Sequence, residues 1–217
     1  MSGSNISPIA FVLNYMRSSN LLLLLFCLST AGVSAQSDSL TSAGQISVGV
    51  RSSWGLVYEH DWNRAAFGSG AQFRLRFSEK VNSDWFIDYL QGDLGDIAKR
   101  TDVHIGWSVL YYPLNKNTKL QPYLLAGHCF ELLRISENTN DDNFVTRKSA
   151  SVQAGAGVHL HLTPKADISF VTQYMIHFGT NIEVLDNPVE FYKPGGIALQ
   201  DHVLLHFSLN YQIADLW

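Results

Sequence analysis

The sequence has few cysteines, few charges and no long apolar segment beyond its N-terminus. Its 217 residues include only Cys27 and Cys129 as cysteines, and 16% of them are charged. No run of 18 or more consecutive apolar residues follows residue 35, which argues against a transmembrane helix there. The formal net charge of −4 argues against a nucleic-acid partner, because such proteins carry a basic surface.

The N-terminal segment predicts export from the cytoplasm. The apolar residues 21–28 follow Arg17, and small residues after them end in Val33-Ser34-Ala35. This order is typical of a secretory signal peptide that is cleaved after a small residue. We therefore expect residues 1–35 to be removed, with Met16 as the initiator, and residues 36–217 to form one mature domain. Cleavage leaves Cys129 as the single cysteine, so no intramolecular disulfide can form.

Residues 149–162, SASVQAGAGVHLHL, carry the clearest pattern in the chain. Every second residue is apolar or alanine, and the residues between are serine, glutamine, glycine or histidine. This period of two predicts a β-strand with one apolar face and one polar face. Related patterns predict eight strands in all, at residues 45–59, 71–78, 85–91, 102–112, 120–131, 149–162, 167–178 and 202–213.

The predicted connections between these strands alternate in length. Short turns are expected at residues 79–84, 113–119 and 163–166, and longer loops at residues 60–70, 92–101, 132–148 and 179–201. An even number of antiparallel strands with short turns at one end and long loops at the other is typical of membrane barrels. The sequence therefore predicts an all-β fold, a closed eight-stranded antiparallel up-and-down transmembrane β-barrel.

Lysine and aromatic residues indicate which face of the strands meets lipid. The seven lysines are predicted in turns, in loops or at a strand end: Lys80, Lys99, Lys116, Lys119, Lys148, Lys165 and Lys193. The polar face uses mainly Gly, Ser, Gln, Asn, His and Arg, which suit a narrow hydrogen-bonded lumen. Aromatic residues such as Trp54, Tyr111 and Phe178 lie on the apolar face, as in interfacial aromatic girdles. The barrel must close, because a sheet edge in lipid leaves backbone groups unpaired.

Four short motifs carry a resemblance to a known family: Tyr111-Tyr112-Pro113, residues 121–127 (QPYLLAG), residues 154–158 (AGAGV) and Leu162-Thr163-Pro164-Lys165. They resemble the small outer-membrane barrels of the OmpA, OmpX and OmpW type, particularly those of Bacteroidota. The resemblance implies a Gram-negative outer membrane as the location and a structural, surface-interaction or porin-like role without a cofactor. It also implies lipid and lipopolysaccharide as neighbours, and assembly by periplasmic chaperones and the barrel-assembly machinery.

The predicted lumen contains polar residues that we expect to pair across the barrel: Arg51, Arg74, Arg76, Asp88, Glu131, Gln153 and Gln173. An unpaired buried charge costs several kcal/mol. An eight-stranded barrel is just wide enough for side chains to fill it. A structural network is therefore favoured, and a gate or a narrow channel for small solutes remains the alternative.

Glu59, His177 and His202 form a candidate metal site, which we expect at the outer rim. Strand parity turns all three inward on neighbouring strands. Two imidazoles and a carboxylate could bind a divalent metal ion. Ordinary hydrogen-bonded or solvated rim residues are the more common explanation of such a set.

Two further functions remain open at this point. Some small outer-membrane barrels modify lipid A with serine and histidine groups, and here Ser208 shares a face with His206. No arrangement of nucleophile, base and orienting group is recognisable in the sequence. The predicted long loops could instead bind an extracellular partner; their aromatic candidates are Trp62, Phe67, Phe144, Phe191 and Tyr192.

Overall fold

The computed structural model describes residues 43–59, 62–114, 119–186, 188–196 and 198–216. Of residues 57–59, 62–64 and 186 it describes the backbone only. The predicted signal peptide, residues 1–35, and Lys116 lie outside the described residues. In the described part of the chain, no helix is long and apolar enough to cross a membrane.

Eight long strands form a closed antiparallel barrel, which confirms the predicted fold class. In chain order the strands are β1 (Gln45–Glu59), β2 (Trp62–Arg76), β3 (Val81–Leu94), β4 (Ala98–Tyr111), β5 (Leu120–Glu137), β6 (Phe144–His161), β7 (Ala166–Gly179), β8 (Glu183–Asp186), β9 (Val189–Tyr192) and β10 (Ala198–Asp215). The short strands β8 and β9 form a separate hairpin, and β10 follows β7 in the barrel. Pairing of β1 with β10, from Gln45 opposite Asp215 to Val57 opposite His202, closes the ring.

The two ends of the barrel differ in their connections. The end that carries residues 77–80, 112–114, 119 and 162–165 is named the turn end. The opposite end, named the loop end, carries residues 95–97, 138–143, 180–186 and 188–196. Gly95 has a positive φ of 66°, a conformation that favours glycine, in the short turn between β3 and β4.

The loops predicted at residues 60–70, 92–101 and 132–148 are wrong in extent, because most of these residues continue the barrel strands. Strands β5 and β6 are each 18 residues long, whereas about 9–11 residues suffice to cross a bilayer. Lys148, predicted in a loop, lies inside β6 with its side chain exposed. Only the segment 179–201 keeps a long connection, and the hairpin of β8 and β9 occupies much of it.

The apolar and polar faces exchange places near the loop end, which explains why the strand ends were missed. In β5, Leu132 points outward and is exposed, but the next inward residues, Leu133 and Ile135, are apolar and buried. Beyond this point Arg134 in β5 and Thr146 in β6 are polar residues that point outward, whereas the outward Phe144 at the start of β6 is apolar. At this position apolar residues occupy consecutive positions of the strand, one on each face. The alternation of apolar and polar residues is therefore interrupted in the sequence. We name this position the phase change.

Between the phase change and the turn end, a wide apolar belt covers the exterior of the barrel. Its most exposed members include Val50, Trp54, Phe73, Trp85, Ile87, Tyr89, Ile105, Tyr111, Leu124, Phe130, Val152, Phe170, Tyr174, Phe178, Phe207 and Tyr211. The lipid-facing side predicted for residues 149–162 is confirmed, because Val152 and Leu160 are exposed while Ser151 and Gln153 are buried. A water-exposed apolar surface of this extent is rare on soluble monomers.

Candidate functional site in the barrel lumen

Side chains fill the lumen along its length. A cavity near Arg76 and Tyr112 has a volume of ≈ 60 Å³, and another near Arg51 and His206 has a volume of ≈ 20 Å³. These volumes suit a few water molecules, whereas small-molecule sites measure about 300–1,000 Å³. The chemistry of the lumen is therefore that of the side chains themselves.

At the turn end, Arg74 is the centre of an ion-pair network. Its guanidinium donates two hydrogen bonds to the Asp84 carboxylate, at 2.7 and 3.1 Å, and lies 3.5 Å from Asp167. A bidentate arginine–carboxylate pair is among the strong polar contacts in proteins. Nearby, both ring nitrogens of His159 are hydrogen-bonded, Nε2 to the Tyr112 hydroxyl at 2.9 Å and Nδ1 to Ser169 at 2.5 Å.

The middle of the lumen contains smaller polar contacts. Arg51 pairs with Asp88 at 3.0 Å and lies over the Phe86 ring, 4.6 Å from its centroid. The Gln153 amide donates to the Ser108 hydroxyl at 2.6 Å, and the Gln173 amide donates to Gln153 at 3.3 Å. Arg51 therefore links β1 to β3, and Gln153 links β6 to β4 and β7.

At the loop end, Glu131 is the centre of a second network. One carboxylate oxygen, Oε2, accepts hydrogen bonds of 2.7 Å from both Arg147 and Ser149. The other oxygen, Oε1, lies 3.5 Å from Arg100, which also donates to Asp102 at 2.8 Å. Glu131 is 1% exposed, so both arginines compensate a carboxylate that is fully out of water.

Three histidine rings pack beside Glu131 and form what we name the histidine cluster: His104 from β4, His177 from β7 and His202 from β10. The ring centroids of His177 and His202 are 4.5 Å apart. The ring centroid of His104 lies 5.7 Å from that of His177 and 5.8 Å from that of His202. All three side chains are buried, with exposures of 1–3%.

An apolar cap covers the lumen at the loop end. Leu94, Ala98, Leu133, Ile135 and Ile182 form a buried cluster there, and Val184 of β8 and Phe191 of β9 pack against it. Because the hairpin of β8 and β9 contributes to this cluster, the connection between β7 and β10 folds over the barrel mouth. Phe191, which the sequence suggested as an exposed aromatic residue, is thus partly buried.

Comparisons with known proteins agree on the fold. No protein-family model matches the chain, and no curated protein matches its sequence. The crystal structure of Neisserial surface protein A (NspA) matches with a TM-score of 0.56 and 13% identity, over 77% of this chain and 97% of that one. The outer membrane protein OprG from Pseudomonas aeruginosa matches with a TM-score of 0.54 and 14% identity, over 80% and 97%.

The NMR structure of Outer Membrane Protein W from E. coli matches with a TM-score of 0.51 and 14% identity, over 80% of this chain and all (100%) of that one. The chain has the fold of the small outer-membrane β-barrels. At these identities the likeness is one of architecture, so the roles of individual residues in this outer-membrane barrel fold have to be argued from its own geometry.

The structure places every residue of the predicted lumen network inside this outer-membrane barrel fold. Arg51, Arg74, Arg76, Asp88, Glu131, Gln153 and Gln173 are all buried. Their partners were largely missed. Arg100 and Arg147 belong to segments that the sequence suggested as loops, and Asp84 belongs to a segment suggested as a turn. Continuing the inward parity of β4 and β6 by a few residues finds both arginines.

The predicted metal candidates are only partly brought together. His177 and His202 are in contact, but they lie under the apolar cap rather than at the rim, where we expected them. The side chain of Glu59 lies outside the described part. His104, which the sequence analysis did not single out, is the third member of the cluster. Its inward parity in β4 is the feature that could have found it.

The serine–histidine contacts in the described lumen lack the arrangement of a hydrolase. Ser53 contacts His206 at Nδ1 with 2.8 Å, and the opposite nitrogen of that ring makes no hydrogen bond. At His159, Ser169 and Asp167 approach the same nitrogen, Nδ1, at 2.5 and 3.4 Å. A catalytic triad instead needs the nucleophile and the acid on opposite nitrogens of the imidazole.

Proposed function

We propose that the protein is an integral outer-membrane barrel with a structural and surface-interaction role, which neither conducts solutes nor catalyses a reaction. One observation carries this proposal: the exterior is apolar while the lumen is charged, paired and filled. A soluble barrel of this size has the opposite arrangement, with the apolar face inside.

The apolar belt supports insertion into lipid. Exposed Trp85 and half-buried Trp107 stack on each other on the outside of β3 and β4, with ring centroids 6.2 Å apart. A pair of tryptophans on the outer face is expected where that face meets lipid rather than water. The closed ring leaves no strand edge to face lipid. The predicted signal peptide, residues 1–35, supplies the route of export, and lipid and lipopolysaccharide are then the immediate neighbours.

Three successive barriers support a closed lumen. Arg74 with Asp84 and Asp167 lies at the turn end, Arg51 with Asp88 in the middle, and Glu131 with its arginines at the loop end. The apolar cap lies beyond them. Opening a path would require breaking buried ion pairs, and removing one partner of such a pair costs about 3–5 kcal/mol.

The loop end is the surface that we propose for an extracellular partner. The hairpin of β8 and β9 presents Leu185 and Tyr192, which are 53% and 58% exposed, and the turn after β5 presents Asp141 and Asp142. Rigid scaffolds often carry binding function on such connections. Periplasmic chaperones and the barrel-assembly machinery are the proposed partners during export.

Electrophoresis and conductance test insertion and closure separately. Unboiled protein in detergent is compared with boiled protein, and the folded fraction is then added to a planar bilayer beside a general porin as the positive control. We expect a heat-dependent change of mobility and no step conductance. Absence of the mobility change would contradict the barrel, whereas steady channels from the folded fraction would contradict the closed lumen.

Cysteine labelling tests the orientation. Cys129 is fully buried at 0% exposure, so a membrane-impermeant maleimide gives little background. The variants D142C at the loop end and E79C at the turn end form a matched pair, because both side chains are exposed. On intact cells we expect labelling of D142C alone. Labelling of E79C alone would invert the proposed orientation.

Lipid A analysis tests the catalytic alternative. Mass spectra of lipid A from cells with and without the expressed protein are compared, with H159Q and H206Q variants as controls for the two serine–histidine contacts. We expect identical spectra. A new lipid A species that disappears in either variant would replace the non-catalytic proposal.

A further inference from the structure

We propose that His104, His177 and His202 bind one transition-metal ion of the Zn²⁺ class inside the loop-end half of the lumen. The inference goes beyond the structural role proposed above. It also differs from the metal candidate of the sequence analysis, because it replaces the rim residue Glu59 with the buried His104.

The geometry brings three imidazoles from three strands to one place. Each ring has a nitrogen that lies within 4.8 Å of a nitrogen of the other two. Zinc–imidazole bonds are about 2.0–2.1 Å long, so ligand nitrogens around one ion are roughly 3–4 Å apart. Binding of one ion therefore requires rotations of the side chains that close the remaining distance and turn the stacked rings of His177 and His202 toward a common point.

Unpartnered nitrogen atoms are the second observation that points to a ligand. Nε2 of His177, Nε2 of His202 and both nitrogens of His104 are buried and make no hydrogen bond, and the contact of His104 Nε2 with Glu131 Oε1 is an ion-pair distance of 3.7 Å. The great majority of buried polar side-chain atoms in proteins have a partner, and each one without a partner costs about 1–3 kcal/mol. One ion bound to three imidazoles would satisfy three of these atoms together.

Glu131 and Ser149 orient one of the proposed ligands. Nδ1 of His177 lies 3.4 Å from Glu131 Oε2 and 3.3 Å from the Ser149 hydroxyl. A proton held at Nδ1 leaves the lone pair at Nε2, on the side of the other two rings. This carboxylate–histidine arrangement recurs around metal-binding histidines, where it sets the tautomer and the ring orientation.

The surrounding charges favour nitrogen ligands and a borderline-soft ion. Glu131 is engaged by Arg147 and Arg100, and Asp102 is engaged by Arg100. Both carboxylates are therefore committed, and the neutral imidazoles are the available donors. Imidazole suits Zn²⁺, Cu²⁺, Ni²⁺ and Co²⁺, whereas Mg²⁺ and Ca²⁺ prefer carboxylate and carbonyl oxygen. Three protein ligands leave a fourth position for water.

Because the apolar cap covers the site, the test loads the metal while the barrel forms. The full chain without its signal peptide is unfolded in urea, refolded into detergent with excess Co²⁺, and freed of unbound ion on a desalting column. Metal content per folded barrel and the visible absorption of Co²⁺ are then measured. We expect about one ion per chain and the strong absorption of a four-coordinate site.

Graded variants separate ligands from neighbours. H202Q and H177Q should lower the affinity for Co²⁺ by more than 100-fold, and E131Q by about 10–100-fold, as for other outer-shell partners. H159Q is the matched control, since His159 is an equally buried lumen histidine whose nitrogens are both occupied. H128Q controls for binding at the less buried His128 outside the lumen. Both controls should bind as wild type does.

Folding is checked for every variant by the heat-dependent change of mobility, and H104Q stands in if H202Q or H177Q fails to fold. Folded wild-type protein without bound Co²⁺ would overturn the proposal. Folded H202Q, H177Q or H104Q with wild-type affinity would overturn it as well. The result is independent of conductance, so a porin-like protein could still carry this site, and a closed barrel could lack it.

Discussion

The two ends of the lumen contain similar residues, but the hydrogen-bonding groups of these residues have partners to different degrees. At the turn end, His159 uses both ring nitrogens in hydrogen bonds, and Arg74 is held between two carboxylates. At the loop end, Glu131 collects the arginines, while three histidine rings beside it keep unpartnered nitrogens. The two ends have similar types of residues, but their hydrogen bonds and ion pairs are arranged differently.

This difference separates a structural histidine from one that is available for chemistry. A buried imidazole with both nitrogens engaged contributes to stability and has no lone pair left for a ligand. An imidazole that is equally buried but unpartnered weakens the fold unless something else completes it. Burial alone therefore says little about the function of a histidine in such a lumen. The presence or absence of a hydrogen-bond partner at each ring nitrogen is more informative.

The largest effect is expected where a buried charge loses its partner. E131A leaves Arg100 and Arg147 without their shared carboxylate, and D84A leaves Arg74 with only the more distant Asp167. We expect E131A to lower the free energy of unfolding by about 3–5 kcal/mol, and D84A by less. Urea unfolding in detergent, followed by tryptophan fluorescence, measures both. Equal losses of unfolding free energy would show that the two ion-pair networks contribute equally to stability.

The next effect distinguishes the part of β6 inside lipid from the part beyond it. A156R places a charge in the middle of the apolar belt, between Leu124 of β5 and Thr172 of β7. We expect a loss of about 2–4 kcal/mol, as for arginine near the bilayer midplane. T146R, on the same outward face beyond the phase change, should cost less than 1 kcal/mol on that scale.

Folding into lipid vesicles at increasing urea concentration measures this pair of variants. The matched control is A156Q, which adds length without charge. Equal losses for A156R and T146R would mean that the membrane boundary does not lie between these two positions.

A smaller effect is expected from the histidines themselves in the absence of metal. H159Q removes hydrogen bonds to Tyr112 and Ser169 and leaves buried groups unsatisfied, so a loss of about 1–3 kcal/mol is expected. H202Q removes an Nε2 that has no hydrogen bond to lose and should cost less. Unfolding is measured with a chelator present. A greater loss for H202Q than for H159Q would reverse the comparison.

The smallest effect concerns the exposed surface of the loop end. The guanidinium of Arg134 lies over the Phe144 ring, 4.1 Å from its centroid, between the paired strands β5 and β6. R134A should cost about 0.5–1 kcal/mol, as for an exposed cation–π contact, and R134K should retain part of it. Differential scanning calorimetry of the three proteins measures this step. An unchanged melting temperature in R134A would show that the contact adds no stability.

The sequence was most informative where lipid imposes a strict alternation. Residues 149–161 form strand and are oriented as predicted, because lipid requires an apolar residue at each outward position of β6 from Ala150 to Leu160. Beyond the phase change water lies outside, so Arg134 can point outward and Leu133 inward. In β5 the alternation persists there with the opposite sign, whereas in β6 the charged Arg147 still points inward. This mixture is the reason why the pattern predicted a loop.

The candidate site was less predictable for a topological reason. His104, His177 and His202 are far apart in the chain, and only the barrel register brings β4 opposite β7 and β10. Parity indicated which way each side chain points but not how far up the barrel it lies. The partners of Glu131 were missed because Arg100 and Arg147 lie on strand segments that the sequence did not show to be strands.

The phase change also sets the height at which the barrel rests in a bilayer. Leu132 lies opposite Lys148 across β5 and β6, and Arg134 lies opposite Thr146, so neighbouring strands change character at the same level. Movement of the barrel in the direction of its turn end by one residue, about 3.3 Å, would draw Lys148 and Arg134 into hydrocarbon. Movement outward would bring Leu132 and Phe130 into water. The connections of the loop end are thereby held at a constant distance above the lipid, at the height where the proposed extracellular partner would bind.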